Sequence, residues 1–284
     1  MKYVILIMGL CLSGTVQAEI LFQDPTRDTL VEAVDQLYMS GADVTDISPP
    51  EVGRKQYILG LLYLNGSQRF KVEENCPGAV EMLTASWQAG IADAGHVLAA
   101  MYYQGNCVEE DIDKSRELAT KAAEEGYIQA QRMLGLAYVG EEWEKLYPYD
   151  AEKGIHWLRK AGNAGDGRSA GQVSAMYERG EGVPQDDQKS FSWLKKSVFN
   201  KYEKGSRLGF SILAESYEKG IGTEVDLVKA YKYYDLTGTA GIEDTQRVAK
   251  RMTREQIDEA RRLSQAWQEE HNIRIGGGFI RRVE

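Results

Sequence analysis

One short pattern recurs five times along the chain and limits the folds open to it. Each copy has an apolar residue, a small residue directly after it, and a tyrosine four positions after the apolar one. The tyrosines are Tyr63, Tyr102, Tyr138, Tyr177 and Tyr217. Because residues four apart lie on the same face of an α-helix, each copy predicts a helix whose small residue lets a second helix approach closely.

Glycines mark two helix ends in every copy. One follows the tyrosine and one closes the copy, at the positions where helices commonly end in the left-handed conformation. They are Gly66, Gly105, Gly140, Gly180 and Gly220, and then Gly90, Gly126, Gly165, Gly205 and Gly241. Between each pair lies a residue of the helix N-cap type, namely Asn75, Asp111, Asp150, Asp186 or Asp226. Each copy is therefore predicted to be a helix–turn–helix unit, and ten of the 29 glycines serve to end its helices.

The fourth copy, YERGEGVPQDDQKSFSW from Tyr177 to Trp193, resembles the Sel1-like repeat family, a relative of the tetratricopeptide repeat. The resemblance covers about residues 52–241, although the third unit has a longer loop and the fourth has four extra residues. It implies an all-α, right-handed α-solenoid of about five helical hairpins with capping helices at both ends. The hairpins are expected at residues 52–90, 91–126, 127–165, 166–205 and 206–241.

Residues 1–18 are typical of a signal peptide. Lys2 is followed by an apolar run from Val4 to Leu12, and small residues precede Glu19. Since that run is too short to span a bilayer, we expect cleavage near Ala18, export to the periplasm, and no membrane insertion afterwards. An uncleaved anchor or a buried helix is the alternative interpretation.

The segments on either side of the repeats are predicted to cover the ends of the array. Residues 19–51 are expected to hold a capping helix, from Thr29 to Met39, and a connection to the repeats. Residues 242–270 are expected to form C-terminal capping helices, and Thr253 with Gln256 has the pattern of a capping box. The last residues, 271–284, are expected to be a flexible tail.

Cys76 and Cys107 fall in the inter-helix loops of the first two units, on the same edge of the predicted array. Export to an oxidising compartment favours a disulfide between them. Such a bond would join neighbouring repeats as a structural cross-link, which we favour over a redox sensor.

Composition and spacing argue against several kinds of chemistry. A net charge of −9 does not suit nonspecific nucleic-acid binding, which needs a basic surface. His96, His156 and His271 are far apart and have no metal-ligand spacing, and the many carboxylates are expected to be surface charges and helix caps. The glycines of Gly165–Gly171 imitate a phosphate-binding loop, but they lie between two predicted helices and not after a strand. We therefore expect no catalytic residue, metal or cofactor.

Two surfaces are candidates for binding a protein partner. In the related tetratricopeptide arrays the first helix of each unit lines a concave groove, and the same register implies a groove that is apolar and aromatic in units one to three and acidic in unit five. Its candidate contacts are Tyr57, Leu61, His96, Tyr103, Arg132, Glu178, Glu215 and Glu218. The second candidate is the long third loop, with Trp143, Tyr147 and Tyr149 beside acidic residues. The alternatives are a solvated face without a partner and a loop that folds its aromatic residues back onto the array.

The resemblance implies a non-catalytic monomer that binds another protein. Exported Sel1-like proteins include immunity proteins that block toxic effectors, such as lipases of the type VI secretion system, and this is the function we expect. They also include regulators of a sensor kinase or an envelope enzyme. A third possibility is an enzyme acting on penicillin or the cell wall, but the relatives proposed for that role have a cysteine pair in each unit, and this chain has one pair in all.

Overall fold

The computed structural model describes residues 18–26, 52–202, 205, 207–276 and 279–282. Within these ranges the chain is a helical array that ends in a short β-hairpin. The expected signal peptide, apart from Ala18, and the expected helix from Thr29 to Met39 lie outside the described residues. None of the described helices is long and apolar enough to cross a membrane.

The array consists of consecutive helical hairpins that follow the predicted units. The first helix of each hairpin is α1 (Val52–Asn65), α3 (Ala92–Gln104), α5 (Ile128–Tyr138), α7 (Gly167–Arg179) or α9 (Arg207–Lys219). The second is α2 (Cys76–Gln88), α4 (Ile112–Glu124), α6 (Ala151–Asn163), α8 (Asp187–Val198) or α10 (Leu227–Asp235). The predicted α-solenoid of helical hairpins is therefore confirmed.

The small residue of each unit allows the two helices of a hairpin to touch. A Cβ atom added to Gly60 would lie 2.7 Å from Cγ of Leu83, and one added to Gly135 would lie 2.6 Å from Cγ of Leu158. Both leucines are fully buried. The backbone of the first helix thus rests directly on a leucine of the second.

The Asp-x-x-Lys motif links the second helix of a unit to its tyrosine. In unit four, Asp186 accepts a hydrogen bond of 2.9 Å from the backbone N–H of Lys189 and so caps α8. The ammonium group of Lys189 then lies 2.9 Å from the same carboxylate and 5.5 Å from the ring centre of Tyr177. Units three and five repeat this arrangement with Asp150, Lys153 and Tyr138, and with Asp226, Lys229 and Tyr217.

A disulfide joins the first two units. Cys76 is the first residue of α2, and Cys107 lies in the loop between α3 and α4, with 4.9 Å between their Cα atoms. The predicted pairing of these two cysteines is confirmed.

The C-terminal end of the array is covered by two further helices, α11 (Ile242–Ala249), which follows a 3₁₀ turn at Gly238–Gly241, and α12 (Arg254–Glu270). Thr253 and Gln256 form the predicted capping box at the start of α12. From α12, the buried Trp267 packs edge-on against Phe210 of α9, with 5.1 Å between the ring centres. The C-terminal end of the array is thus covered by the long amphipathic helix α12 and the short helix α11 before it.

The segment expected to be a flexible tail contains a β-hairpin. Strand β1 (Ile273–Gly276) pairs antiparallel with β2 (Phe279–Arg282). Ile273 is buried in the cluster that holds Trp267, and the backbone N–H of Ile275 donates a hydrogen bond of 2.9 Å to the Gln268 side chain. These contacts with α12 give the first strand a fixed place that the sequence analysis did not predict.

Candidate protein-binding surfaces

Residues 18–26, which we call the strap, lie across the turns between units one, two and three. The backbone N–H of Glu19 donates to the carbonyl oxygen of Gly90 (2.9 Å), and the N–H of Ala92 donates to the carbonyl oxygen of Glu19 (3.0 Å). Glu19 thereby forms a parallel β-bridge with Ile91. Ile20 lies beside Gly126, the next turn of the array. The strap is therefore an extended chain bound by the array through backbone hydrogen bonds.

A buried carboxylate holds the centre of the strap. Asp93, at the start of α3, accepts hydrogen bonds from the backbone N–H groups of Leu21 (2.9 Å) and Phe22 (3.0 Å). Burial raises the pKa of Asp93 to about 6, although the hydrogen bonds from Leu21 and Phe22 act in the opposite direction. The ring of Phe22 is buried against Tyr57, with 5.8 Å between the ring centres.

The strap and the packing of successive units close much of the predicted groove in units one to three. Tyr57 lies under Phe22, and Leu61 is buried in the same apolar cluster, so neither of these predicted contacts is open to a partner. Their assignment to an open groove was wrong, because it took no account of a segment bound over the first unit.

His96 and Arg132 contact the next unit and do not line an open face. The ring of His96 lies 5.4 Å from that of Tyr127, its Nδ1 atom is buried without a hydrogen-bond partner among the described residues, and burial lowers its pKa to about 4. Arg132 forms an ion pair of 2.6 Å with the buried Asp166, which caps α7. Both side chains therefore serve the junction between consecutive first helices.

The long third loop folds back onto the array. Trp143 packs edge-on against Tyr103 at 4.8 Å, which brings together one predicted loop contact and one predicted groove contact. Tyr147 stacks on Tyr138 at 4.2 Å, and its hydroxyl lies 2.6 Å from that of Thr120. Trp143 and Tyr147 therefore fit the alternative interpretation of this loop, in which its aromatic residues fold back onto the array.

Tyr149 is the aromatic residue of this loop that remains at the surface. Its side chain is 62% exposed, and its hydroxyl donates a hydrogen bond of 2.8 Å to Glu181 in the following loop. This hydrogen bond lowers the pKa of Glu181 and raises that of Tyr149. The loop edge of units three and four thus presents one aromatic ring to solvent.

The acidic residues of the last two units have different environments. Glu178 and Glu215 are exposed, and Glu215 pairs with Lys219 one turn later on α9. Glu218 is buried and accepts hydrogen bonds from Tyr234 (3.0 Å), Arg247 (2.7 Å) and Arg251 (3.1 Å). Its assignment as a groove contact was wrong, since its carboxylate ties the last hairpin to α11 through Arg247 and to the turn after α11 through Arg251.

Two exposed apolar residues that were not predicted, Leu208 and Ile212, lie on α9 beside the predicted contact Glu215. Leu208 and Ile212 are 73% and 41% exposed, and with Glu215 they lie at positions i, i+4 and i+7 of one helix face. We call these three residues the α9 stripe. Leu213 and Ala214 fill the opposite side and are fully buried. The signal was available in the sequence, because two large apolar residues lie five and one positions before the apolar mark Leu213 and are four apart on one helix face.

The repeats correspond to a known family. A model of the Sel1 repeat matches residues 56–86, 92–127, 128–166, 169–198 and 206–241, which together make up more than half of the chain. The chain belongs to the Sel1 repeat family. Sel1 repeat proteins mediate protein–protein interactions, and their solenoid is typically a non-catalytic scaffold. Among the described residues, no group of histidine, cysteine, aspartate and glutamate side chains could hold a metal ion.

Solved Sel1 structures resemble the chain to different degrees. A Sel1 repeat protein from Oxalobacter formigenes is 27% identical over 72% of this chain and 61% of its own length, with a TM-score of 0.52. A protective antigen of uropathogenic Escherichia coli is 22% identical over 86% of this chain and 65% of its own, with a TM-score of 0.38. An immunity protein of Pseudomonas aeruginosa is 18% identical over 77% of this chain and 88% of its own, with a TM-score of 0.32. The chain thus spans about three-fifths of the Oxalobacter protein.

Proposed function

We propose that this Sel1 repeat protein is a periplasmic, non-catalytic inhibitor that binds and neutralises a toxic effector protein, and that the α9 stripe is part of the surface it uses. The observation that carries this proposal is the exposure of Leu208 and Ile212, two large apolar side chains four residues apart on one helix face. Apolar side chains that lie together on a surface are typical of a protein-binding site.

The charge around the stripe indicates which partner it suits. Glu215 lies one turn beyond Ile212 on the same face, and Glu178 is exposed on the first helix of the preceding unit. The whole chain has a net charge of −9. An effector with a basic rim around an apolar contact would complement this surface and be attracted to it at low salt.

The rigidity of the array supports a role in tight binding. Neighbouring units are joined by buried residues, by the disulfide between units one and two, and by the ion pair of Arg132 with Asp166 between units three and four. Within units three to five, the cap–lysine–tyrosine contacts hold the two helices of the hairpin together. A preformed surface loses little conformational entropy when a partner binds. The signal-like residues 1–18 support action in the periplasm, where an effector delivered to the cell envelope would be met.

Photo-crosslinking in cells tests this proposal directly. A photoreactive phenylalanine analogue at Ile212 should form a covalent adduct with one protein of the cell envelope, which mass spectrometry then identifies. The same analogue at Ile242, an isoleucine on α11 that is at least as exposed as Ile212 (49% against 41%), is the matched control and should not form that adduct.

The identified protein is then tested for toxicity. We expect its export to stop growth, and we expect the chain to restore growth, whereas the Leu208→Asp/Ile212→Asp double variant should not. Ile242→Asp should protect as well as the unaltered chain does. A non-toxic partner such as a sensor kinase would overturn the inhibitor proposal and indicate a regulator, and adducts of equal yield at positions 212 and 242 would remove the α9 stripe from the binding surface.

A further inference from the structure

The strap shows how an extended chain can bind to the first three units. Glu19 of the strap makes backbone hydrogen bonds with Gly90 and Ala92, through its N–H and its C=O. Leu21 and Phe22 donate their backbone N–H groups to Asp93. The ring of Phe22 is buried against Tyr57. The backbone contacts depend on an extended conformation and not on particular side chains. The cleft formed by Tyr57, Gly90, Asp93 and Gly126 is therefore suited to extended segments with an aromatic residue at the position of Phe22.

We propose that this cleft, which we call the strap cleft, is a second recognition site, and that it takes an extended segment of a partner protein in place of the strap. The segment has an aliphatic residue and, two positions later, an aromatic residue, as Ile20 and Phe22 do in the strap. The strap is then a displaceable occupant that lowers the affinity of the cleft for any other segment.

The chemistry of the cleft sets this preference. A β-strand directs alternate side chains to the same side, so Ile20 can lie beside the turn at Gly126 while Phe22 enters the apolar cluster with Tyr57. Asp93 accepts two N–H groups, so a proline at either of the corresponding positions would be rejected. The exposed Glu19 and Gln23 contribute little to selectivity, since their side chains lie in solvent.

The strap has features of an occupant that can leave. Beyond Phe22 it turns at Asp24, whose carboxylate accepts the backbone N–H of Thr26 at 2.9 Å. The backbone hydrogen bonds between the strap and the array involve Glu19, Leu21 and Phe22. The strap competes with any added segment for the cleft. The apparent affinity of the added segment is therefore its affinity for the open cleft multiplied by the fraction of molecules in which the cleft is open. This second site is distinct from the α9 stripe, and its occupancy does not depend on whether the partner is a toxin.

The probe is a fluorescent peptide with the strap sequence EILFQDPT, tested on the full-length chain by fluorescence anisotropy. The Phe22→Ser chain has an intact cleft and a weakened strap, so it should bind the peptide at least tenfold more tightly than the unaltered chain does. Adding Asp93→Ala to Phe22→Ser should abolish binding, and a peptide with serine in place of its phenylalanine should not bind. Circular dichroism verifies that each variant is folded, and a folded Phe22→Ser chain that fails to bind the peptide would overturn the proposal.

The rates of amide hydrogen exchange in the unaltered chain distinguish a strap that can leave the cleft from one that stays bound until the whole array unfolds. The amides of Leu21 and Phe22 should exchange through local opening, under conditions in which the amides of α3 stay protected. Saturating EILFQDPT should speed the exchange of the strap amides and leave α3 unchanged. Strap amides that exchange only when the whole array unfolds, with or without peptide, would show that the strap is a structural element and contradict the proposal. The growth and crosslinking results for the α9 stripe would stand in either case.

Discussion

Cys107 and Gly182 occupy the same place in two different loops, with φ angles of 62° and 66°. Each lies two residues beyond the glycine that ends the first helix of its unit, and each loop contacts the first residue of the second helix in the preceding unit. For Gly182 this contact is with the backbone of Ala151, and for Cys107 it is the disulfide to Cys76. In the later unit, the glycine of this loop packs against the backbone of the preceding unit. In unit two, the disulfide makes a covalent bond at the same place.

Removing the disulfide should lower stability without changing the fold. The bond closes a loop across a sequence separation of 31 residues, and the chain-entropy model assigns such a loop about 3–4 kcal/mol. We expect the Cys76→Ser/Cys107→Ser variant to lose that much unfolding free energy in a urea titration. Reducing the unaltered chain should produce the same loss and leave the double variant unaffected. A reduced chain as stable as the oxidised one would contradict this account of the bond.

The contact between Gly182 and Ala151 should leave no room for a side chain at position 182. In Gly182→Ala the new Cβ would lie 2.6 Å from the carbonyl of Ala151, at a φ that alanine avoids. Overpacking and the backbone cost together should destabilise the chain by about 2–4 kcal/mol.

Gly66→Ala is the matched control, because Gly66 has nearly the same φ of 65° but its Cβ would lie 3.2 Å from the flexible side chain of Glu74 and no closer than 3.5 Å to any backbone atom. It should lose about 1 kcal/mol, the backbone cost alone. Equal losses in the two variants, measured by thermal or urea unfolding, would mean that the contact with Ala151 adds nothing.

The units, the disulfide and the capping box could be predicted from the sequence because each depends on residues at fixed spacing. The strap could not, since a nine-residue segment without periodicity does not reveal that Asp93 will accept two of its amides. The burial of Glu218 was missed for a similar reason, because Arg247 and Arg251 come from a helix and turn outside the repeat pattern. The groove was the least predictable feature. Its residues were assigned by analogy with other arrays, and that analogy did not include the strap over Tyr57 or the third loop over Tyr103.

Two buried groups should give the stability of the chain opposite dependences on pH. The pKa of His96 is lowered from 6.5 to about 4 in the folded chain, so the unfolded chain binds the proton more tightly and stability falls as the pH drops from 6.5 to 4. The pKa of Asp93 is raised from 3.8 to about 6, so the folded chain binds the proton more tightly and stability rises as the pH drops from 6 to 3.8. Each effect amounts to about 3 kcal/mol across its range.

Single variants should separate the two effects. His96→Phe should become more stable as the pH is lowered from 7 to 5, because only the Asp93 effect remains. Asp93→Asn should become less stable over the same range, because only the His96 effect remains. Urea unfolding at half-unit pH steps measures both, with His156→Phe as the control, since His156 is exposed. Parallel pH profiles for His96→Phe and the unaltered chain would show that His96 does not remain neutral when buried.

The carboxylate of Glu218 should stabilise the C-terminal end of the array far more than that of Glu215, three residues earlier on the same helix. Glu218→Ala leaves Arg247, Arg251 and the hydroxyl of Tyr234 without their shared acceptor, so we expect a loss of about 2 kcal/mol and faster hydrogen exchange in α11. Glu215→Ala removes only a surface ion pair with Lys219 and should change stability by less than about 0.5 kcal/mol. Similar losses in the two variants would mean that the buried network does not hold α11 to the last hairpin. A loss of α11 protection confined to Glu218→Ala would establish that it does, and would leave Glu215 available for contact with a partner.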